Sequence, residues 1–557
     1  MKKTKLLVLL SAAFLLVGCA IGQKQSNKQS SKQSDLTQST SAESSSGGQS
    51  TGDFVFDDDQ LNNPQEIHTV DQLSYLSFSR PYYSITGSDL NGFNATGASS
   101  LQKTSWAPKP ITISWEYEPS TDAEVKNYSF IFGQESDLSD GFEIKNIKQK
   151  SVSFTNSFLG DNYFKVIAHL DDESEEESEI NIFKVTEQAP RNLDVGNMPN
   201  VRDMGGRTTY SGAKIKQGLI YRGAGNKFDN RSQVDSDCEN VLLNQLKIKT
   251  EINVANSTTN NLNFDGVKVE NCYMDYGATP YSNLARNAEK IRQVMSVLSD
   301  ESNYPVFYHC RIGTDRTGIT GVMIGGLLGI KFNEIIQDYG YSNFAPIDNQ
   351  RYPGKTPDNN GDDIKKYIDE ILALPGANFQ EQTYLALRML GVPAAKLDTI
   401  INLMTEGTKA TIPNSFKVGE GADLTSSATM TTSTDYKTPG TYYAVGSNGT
   451  ISYKTTLTAG KKDVVVYLGY TGNVTTSTST KLASSLTLKI DGAEKEISNT
   501  KNLWQAGFGS TQQDSRKGYM FNILGSYDFT AGEHTVEITS KSGTFNIATI
   551  TVADRAA

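Results

Sequence analysis

The sequence contains little cysteine, histidine or tryptophan: four, four and three residues, respectively, in a chain of 557. Four cysteines are too few for a scaffold held together by disulfides in a protein of this length. The four histidines, at positions 68, 169, 309 and 534, are scattered, so we predict neither a metal centre nor a cofactor. Basic residues are also outnumbered, with 52 Lys and Arg against 63 Asp and Glu. The net charge of −11 argues against a nucleic-acid-binding protein, which needs a basic face.

Long hydrophobic runs are missing as well, and no segment has the roughly 18–20 apolar residues that a membrane-spanning helix needs. The apolar segment Leu6–Val17 is shorter and follows a basic start, as in a signal peptide. It ends in Leu16-Val17-Gly18-Cys19, which resembles a bacterial lipobox. We therefore predict a lipoprotein signal peptide over 1–19, a lipid on Cys19 and an extracytoplasmic location anchored to the bacterial cell membrane. An ordinary secretory signal with a chance cysteine is the alternative.

Residues 20–52 are dominated by Ser, Gln, Lys, Thr and Gly and contain no aromatic side chain. Such a composition cannot bury enough apolar surface to offset chain entropy, so we predict a flexible tether. The segment 53–187 is predicted to be a β-sandwich, because short alternating strands recur from Ile111 onward. Trp115 on an early strand and the late strand Tyr163–Ala168 resemble a fibronectin type III domain.

The segment 188–410 alternates predicted strands with predicted helices, which indicates an α/β domain with a mostly parallel sheet. From 411 to 557 the alternation is all β, and the final strands resemble those of jelly-roll carbohydrate-binding modules. The predicted fold is therefore multidomain, with a central α/β domain between an N-terminal β-sandwich and a C-terminal jelly roll. In the α/β domain, strands are predicted at 246–254, 267–273 and 305–308, a helix capped by Ser282 reaches Leu298, and further helices occupy 317–328, 362–374, 380–390 and 394–404.

The segment His309–Gly318, here called the Cys310 loop, joins a short buried strand to a buried helix. Gly313 lets the backbone turn so that successive N–H groups point inward, and a helix starting near Thr317 adds its positive N-terminal end. This arrangement binds phosphate and favours the thiolate of Cys310, which can attack phosphorus. Arg316, six positions later, presents a planar guanidinium that suits two phosphoryl oxygens.

The string H-C-x5-R-T-G of the Cys310 loop resembles the cysteine-dependent protein tyrosine phosphatase superfamily. Its D-R-T-G ending, with Asn200–Gly206 and Gly218–Gly223, resembles the bacterial tyrosine/serine phosphatase branch that also acts on phosphoinositides. The resemblance implies a hydrolase with Cys310 as nucleophile and Arg316 as phosphoryl ligand. We predict that the substrate phosphate is bound by Arg311, Ile312, Gly313, Thr314 and Thr317, whose hydroxyl bonds the sulfur, and that His309 and Asp203 support the loop.

A carboxyl group is needed to protonate the leaving alcohol, and the sequence offers two candidates. Asp315 lies in the Cys310 loop, where the resembled branch has its acid, and we favour it. Asp275 lies 35 residues before Cys310, at the spacing of the mobile acid loop in dual-specificity phosphatases.

The predicted function is that of a membrane-anchored extracytoplasmic phosphatase. Its substrates would be phosphotyrosine or phosphoserine proteins, phosphoinositides or inositol phosphates. The alternative is a surface glycan-binding or adhesion protein with a secondary or degenerate phosphatase domain. In that case residues 411–557 would bind glycan or cell wall by stacking sugars on exposed aromatic side chains. The candidates for such stacking are Tyr442, Tyr443, Trp504 and Tyr519.

Overall fold

The structure is a computed structural model, and the residues it describes belong to one compact unit, Gln49–Ala557. No helix within that described part of the chain is long and apolar enough to cross a membrane. The described residues are 53–92, 106–229, 233–274, 284, 287–347, 350–353, 364–407, 416–432, 441–472, 482–497, 502–505 and 520–553. The predicted signal peptide with Cys19 and the predicted tether lie outside them.

The centre of the molecule is a five-stranded sheet. Val306–Cys310, here called the loop strand, lies in its middle and is buried along its whole length. Its neighbours Ile220–Ala224 and Thr250–Asn253 run parallel to it, as does the edge strand Lys268–Asn271, while Arg202–Asp203 closes the other edge in the antiparallel direction. Because parallel strands end at the same edge of a sheet, the ends of the loop strand and its neighbours lie together. The predicted strands 246–254 and 267–273 are shorter in the structure.

Helices cover this sheet. Asp315–Leu328, here called the loop helix, is apolar on nearly every face and is packed by helices on several sides. Phe332–Tyr341, here called the Asp338 helix, follows it. The loop helix begins at Asp315 rather than near Thr317, and Ser282 lies outside the described residues. The remaining helices of the domain are Ser236–Asn240, continued as a π-helix over Val241–Gln245, then Ala288–Leu298, Ile364–Leu372, Phe379–Met389 and Ala394–Met404.

The N-terminal β region contains two sheets around an aromatic core that includes Trp115, Phe130 and Phe164. Alternation of buried and exposed residues along Ile111–Glu118 shows why this segment is a strand with one buried face. One sheet holds Asp53–Phe56, Ile111–Glu118 and Ser151–Phe154; the other holds Val125–Gly133, Phe142–Ile147, Gly160–Leu170, Glu175–Glu177 and Asn181–Val185.

Residues 67–92, which the sequence analysis assigned to the sandwich, run across the α/β domain. Tyr75, Tyr82 and Leu90 are buried in the same apolar core as the loop helix. The Tyr75 hydroxyl donates to the carbonyl of Gln337, and the Gln337 amide donates to the carbonyl of Leu76. Residues 67–92 therefore contribute to the core of the α/β domain, although they precede that domain in the sequence by about a hundred residues. Its helices are Val70–Leu76, capped by Thr69, and Gly87–Gly92.

The C-terminal region is all β apart from short helical turns. A seven-stranded and a five-stranded sheet enclose one apolar core, in which Val466, Leu488 and Ile538 are buried. The first sheet holds Phe416–Glu420, Met430–Thr432, Thr441–Val445, Lys461–Gly472, Asn502–Gln505, Met520–Phe529 and Phe545–Ala553; the second holds Leu424–Ser426, Thr450–Leu457, Leu486–Ile490, Ala493–Lys495 and Gly532–Ser540.

Both β regions are joined to the α/β domain by specific contacts. The Asn156 amide donates to the carbonyl of Asp194 at 2.9 Å, and Arg191 donates to the carbonyl of Asn156 at 3.0 Å. On the other side, Arg388 forms a 2.7 Å ion pair with Glu420. The three regions therefore form a packed assembly.

Candidate active site

The Cys310 loop connects the end of the loop strand to the start of the loop helix. Gly313, predicted to let the backbone turn, has φ +72°, a left-handed conformation, and a Cβ there would lie 2.4 Å from the carbonyl carbon of Gly223. The neighbouring strand therefore leaves room only for glycine. Cys310 is buried at the end of the strand, and the turn that follows it leads directly into a helix N-terminus. The first N–H groups of a helix have no intrahelical partner, so this end favours an anion.

Two carbonyl groups of the loop, those of Ile312 and Gly313, accept hydrogen bonds from buried side chains. Asn200 donates its amide to the carbonyl of Ile312 at 2.9 Å and to the hydroxyl of Thr314 at 3.2 Å. Arg222 donates to the carbonyl of Gly313 at 3.0 Å. The loop is therefore fixed by the buried side chains of Asn200 and Arg222. Both lie within the motifs that resemble the phosphatase branch, but no role was predicted for either.

Asn200 and Arg222 belong to a buried ionic network centred on Asp338. The Asp338 carboxylate accepts from Arg222 at 2.5 Å, from Arg202 at 2.8 Å and from Arg207 at 3.0 Å. Burial opposes ionisation of this carboxyl, but the three guanidiniums outweigh it and hold the pKa of Asp338 well below its usual range. Burial and the neighbouring Arg222 lower the pKa of Arg202 to about 10. The network is a rigid base for the Cys310 loop.

The two cations predicted in the loop have different hydrogen-bond partners. Arg316, on the first turn of the loop helix, is partly exposed and donates through Nε to the carbonyl of Met274 at 2.9 Å. Arg311 donates to the carbonyl of Phe228 at 3.4 Å. Arg316 belongs to the helix end at which an anion is favoured, in agreement with its predicted role as phosphoryl ligand.

His309 and Thr317 flank the thiol. The Nε2 atom of His309 lies 2.8 Å from Glu251, whose carboxylate also accepts from the backbone N–H of Leu262. The Nδ1 atom lies 3.0 Å from the carbonyl of Cys310 and so orients the residue that bears the thiol. The Thr317 hydroxyl is buried without a hydrogen-bond partner, so the predicted bond to the Cys310 sulfur is not made in this structure.

Of the two predicted general acids, the structure describes only Asp315. Asp315 is buried and forms an ion pair with Arg351, with Arg351 Nε 2.8 Å from the carboxylate. Asp275 lies outside the described residues. Asp203 accepts backbone N–H bonds from Gly205 and Gly218, both at 2.7 Å, as expected for a turn, and pairs with Arg191. Sequence reasoning missed Arg351 because no motif surrounds it.

The other described cysteines and the aromatic residues of the C-terminal region have these positions. Cys238 and Cys272 are fully buried, and burial raises the pKa of the Cys238 thiol to about 12. No group of His, Cys, Asp and Glu that could hold a metal ion occurs in the described ranges. Of the aromatic residues predicted to face sugars, Tyr443 is instead buried, with its hydroxyl bonded to the carbonyls of Gly421 and Leu424. Tyr442 packs partly against the α/β core, and Tyr519 lies outside the described residues.

The chain is similar to known proteins over part of its length. Residues 193–407 match the model of the tyrosine phosphatase family. No curated protein sequence matches the chain. The core catalytic domain of the PP-IP phosphatase SIW14 from S. cerevisiae, in complex with citrate, is 19% identical, with 23% of this chain and 73% of that chain covered and a TM-score of 0.18. The family match confirms the sequence prediction of a tyrosine phosphatase-like hydrolase domain.

Two further solved structures are similar over parts of the chain. A second structure of the Siw14 catalytic core is 18% identical, covering 28% of this chain and 80% of that chain with a TM-score of 0.21. A GH26-CBM35 β-(1,4)-mannanase from Podospora anserina is 16% identical, covering 25% of this chain and 28% of that chain with a TM-score of 0.19.

Proposed function

We propose, from the premise that residues 193–407 form a hydrolase domain of the tyrosine phosphatase type, that Cys310 is the nucleophile of a phosphomonoesterase. The observation that carries this proposal is the placement of Cys310 at the end of the loop strand, separated from the start of the loop helix only by the turn 311–314. Arg316 stands on the first turn of that helix. A thiolate and a phosphoryl-binding guanidinium are thus brought to one phosphate-binding turn.

In the first step the Cys310 sulfur attacks phosphorus, the S–P bond forms and the P–O bond to the leaving alcohol breaks. The alcohol leaves with a proton supplied by a general acid. In the second step water attacks phosphorus and gives a proton to the conjugate base of that acid, a new P–O bond forms and the S–P bond breaks. Inorganic phosphate leaves and Cys310 returns as a thiolate. The loop N–H groups and Arg316 hold the equatorial oxygens in both steps.

The substrates we propose are phosphomonoesters outside the cell: phosphotyrosine or phosphoserine proteins, phosphoinositides or inositol phosphates. The signal peptide and Cys19 predicted from the sequence support an extracytoplasmic enzyme tethered to the membrane by lipid. The flanking β regions would present this enzyme at the surface. We propose no metal or organic cofactor, because the thiolate mechanism supplies its own nucleophile.

The test is phosphate release by residues 53–557, wild type against Cys310→Ser, without added metal and in reducing buffer. The panel contains a phosphotyrosine peptide, a phosphoserine peptide, phosphoinositides and inositol hexakisphosphate. We expect turnover on at least one member, lost in Cys310→Ser and retained in the control Cys238→Ser, whose thiol lies in a separate apolar cluster. Absence of turnover on every member would favour the alternative, a binding protein at the cell surface. Retention of residues 411–557 on a polysaccharide column would support that alternative directly.

A further inference from the structure

The carboxylate of Asp315 stands at the first position of the loop helix, and a guanidinium from a distant segment is bound to it. Arg351 donates to Asp315 through Nε at 2.8 Å and through a terminal nitrogen at 3.3 Å. Both side chains are buried, with 5% and 8% of their surface exposed. The Tyr339 hydroxyl donates a third bond, at 3.3 Å, to the same carboxylate. Asp315 is thus surrounded by donors.

Arg351 is held in this place by its own backbone. Asn343, in the turn after the Asp338 helix, accepts the N–H of Arg351 at 2.7 Å and donates to its carbonyl at 2.7 Å. The same amide donates to the carbonyl of Gly340 at the end of that helix. The contact with Asp315 is therefore built into the fold and is more than the chance approach of a long surface side chain.

A carboxylate next to a phosphate-binding turn is unfavourable unless its charge is cancelled. It would repel both the dianionic substrate and the Cys310 thiolate, and burial makes such repulsion stronger than in water. Donation of two N–H groups by a guanidinium favours the ionised carboxylate and satisfies it. Protonating Asp315 would leave a buried cation without its counterion, which is costly.

On the basis of the proposed function, we propose that Arg351 is a positioning residue that keeps Asp315 ionised and cancels its charge beside the substrate phosphate. Asp315 then anchors the first turn of the loop helix and does not protonate the leaving group. This differs from the sequence interpretation, in which the loop aspartate was the favoured acid.

The test compares Arg351→Gln, Asp315→Asn and the double variant in residues 53–557. We expect Arg351→Gln to lower kcat/KM about tenfold to hundredfold, because it leaves an uncancelled buried negative charge at the start of the loop helix, in the loop that binds the phosphate. The loss should be equal on an activated aryl phosphate and on an alkyl phosphate. Adding Asp315→Asn should recover most of it, because the neutral Asn–Gln pair removes the repulsion. The inhibition constant of inorganic phosphate should rise in the single variant and return in the double variant.

Arg388→Gln is the matched control, since it removes a different buried Arg from its ion pair with Glu420. It should change thermal stability without lowering kcat/KM on either substrate and without raising the inhibition constant of inorganic phosphate. Three results would overturn the proposal: a loss in Asp315→Asn confined to the alkyl phosphate, no recovery in the double variant, or unchanged phosphate inhibition in Arg351→Gln. If the wild type shows no Cys310-dependent turnover, the proposed function fails instead. Calorimetric binding of inorganic phosphate to wild type, Arg351→Gln and the double variant then tests the charge cancellation, and equal affinities would refute it.

Discussion

Arg222 donates a 3.0 Å hydrogen bond to the carbonyl oxygen of Gly313, the residue at which the Cys310 loop turns. The other end of the same guanidinium is bound to Asp338. A single side chain therefore joins the turn of the loop to the Asp338 helix. The conformation of the Cys310 loop therefore depends on the carboxylate of Asp338, which lies in the buried network beneath the site.

Asp338→Asn should damage both stability and turnover. It leaves three buried guanidiniums around a neutral amide, and breaking a buried ion pair costs about 3–5 kcal/mol. Since the folded-state pKa of Asp338 is depressed, its contribution is present above the unfolded-state pKa of about 4 and is lost as pH falls below it. Urea unfolding from pH 7 down to acid should show a flatter pH dependence in the variant. The surface variant Asp161→Asn should behave as wild type, and an Asp338→Asn protein of normal stability would contradict the network's role.

Thr317→Val should separate stability from chemistry. The Thr317 hydroxyl is buried without a partner, so its removal should leave the melting temperature unchanged or raise it. If the hydroxyl bonds the sulfur when the thiolate departs from phosphorus, hydrolysis of the cysteinyl-phosphate should slow about tenfold to hundredfold. Rapid-quench kinetics with an aryl phosphate would show a burst followed by a slower steady state. Thr383→Val, which loses a bond to the Phe379 carbonyl, should instead lose stability and keep its rate.

Iodoacetamide at neutral pH should modify Cys310 and spare the other described thiols. Cys238 and Cys272 are inaccessible, and burial raises the pKa of each, so neither forms the thiolate that reacts. Peptide mapping by mass spectrometry should find the label on the Cys310 peptide, reduced by inorganic phosphate and absent in Cys310→Ser. Equal labelling of all three would mean that the fold opens at Cys238 and Cys272.

Glu370→Gln should stabilise the protein at alkaline pH. Burial raises the pKa of Glu370 to about 8, although the Leu284 N–H donates to its carboxyl at 2.9 Å. The unfolded state loses this proton near pH 4.5, whereas the folded state keeps it until about pH 8. The free energy of unfolding therefore declines as the pH rises from about 4.5 to about 8. The glutamine variant carries no such penalty.

Melting temperatures of wild type and Glu370→Gln should thus coincide near pH 4, diverge as the pH rises from about 4.5 to about 8, and stay apart by a constant amount above that. A gain of about 1 kcal/mol corresponds to roughly 2–4 °C in a domain of this size. Glu289→Gln, an exchange of the same type at a partly exposed Glu paired with Lys290, is the control and should show no such divergence. A constant difference at every pH would instead indicate a simple packing effect.

Local patterns predicted the central domain well. The helix 394–404 has the predicted bounds, and the loop strand and loop helix lie where the apolar run before Cys310 and the small-residue run after it indicated. Runs of apolar or small residues indicate these two elements because both are buried on nearly all sides. The conformation of Gly313 was also predictable, because a tight turn around phosphate requires a residue without a Cβ.

The supporting residues were not predictable in the same way. Asp338 stands among apolar residues on a buried helix face, but its three partners lie more than a hundred positions earlier. Arg351 follows a turn with no regular pattern, and it meets Asp315 only because Asn343 holds its backbone. Pairings of this kind are decided by tertiary packing. For the same reason the aromatic residues of 67–92 gave no sign of which core they enter.

The packing of residues 67–92 on the Asp338 helix has a consequence for how the chain is made. During synthesis this segment leaves the ribosome some 240 residues before the helix that covers it. The strands Asp53–Phe56 and Ile111–Glu118, which lie on either side of this segment in the sequence, can pair in the meantime. Tyr75, Tyr82 and Leu90 then remain exposed until the helices of the central domain cover them. In an exported chain these side chains would stay exposed until the whole central domain had been translocated. The segment is where a holding chaperone would act first.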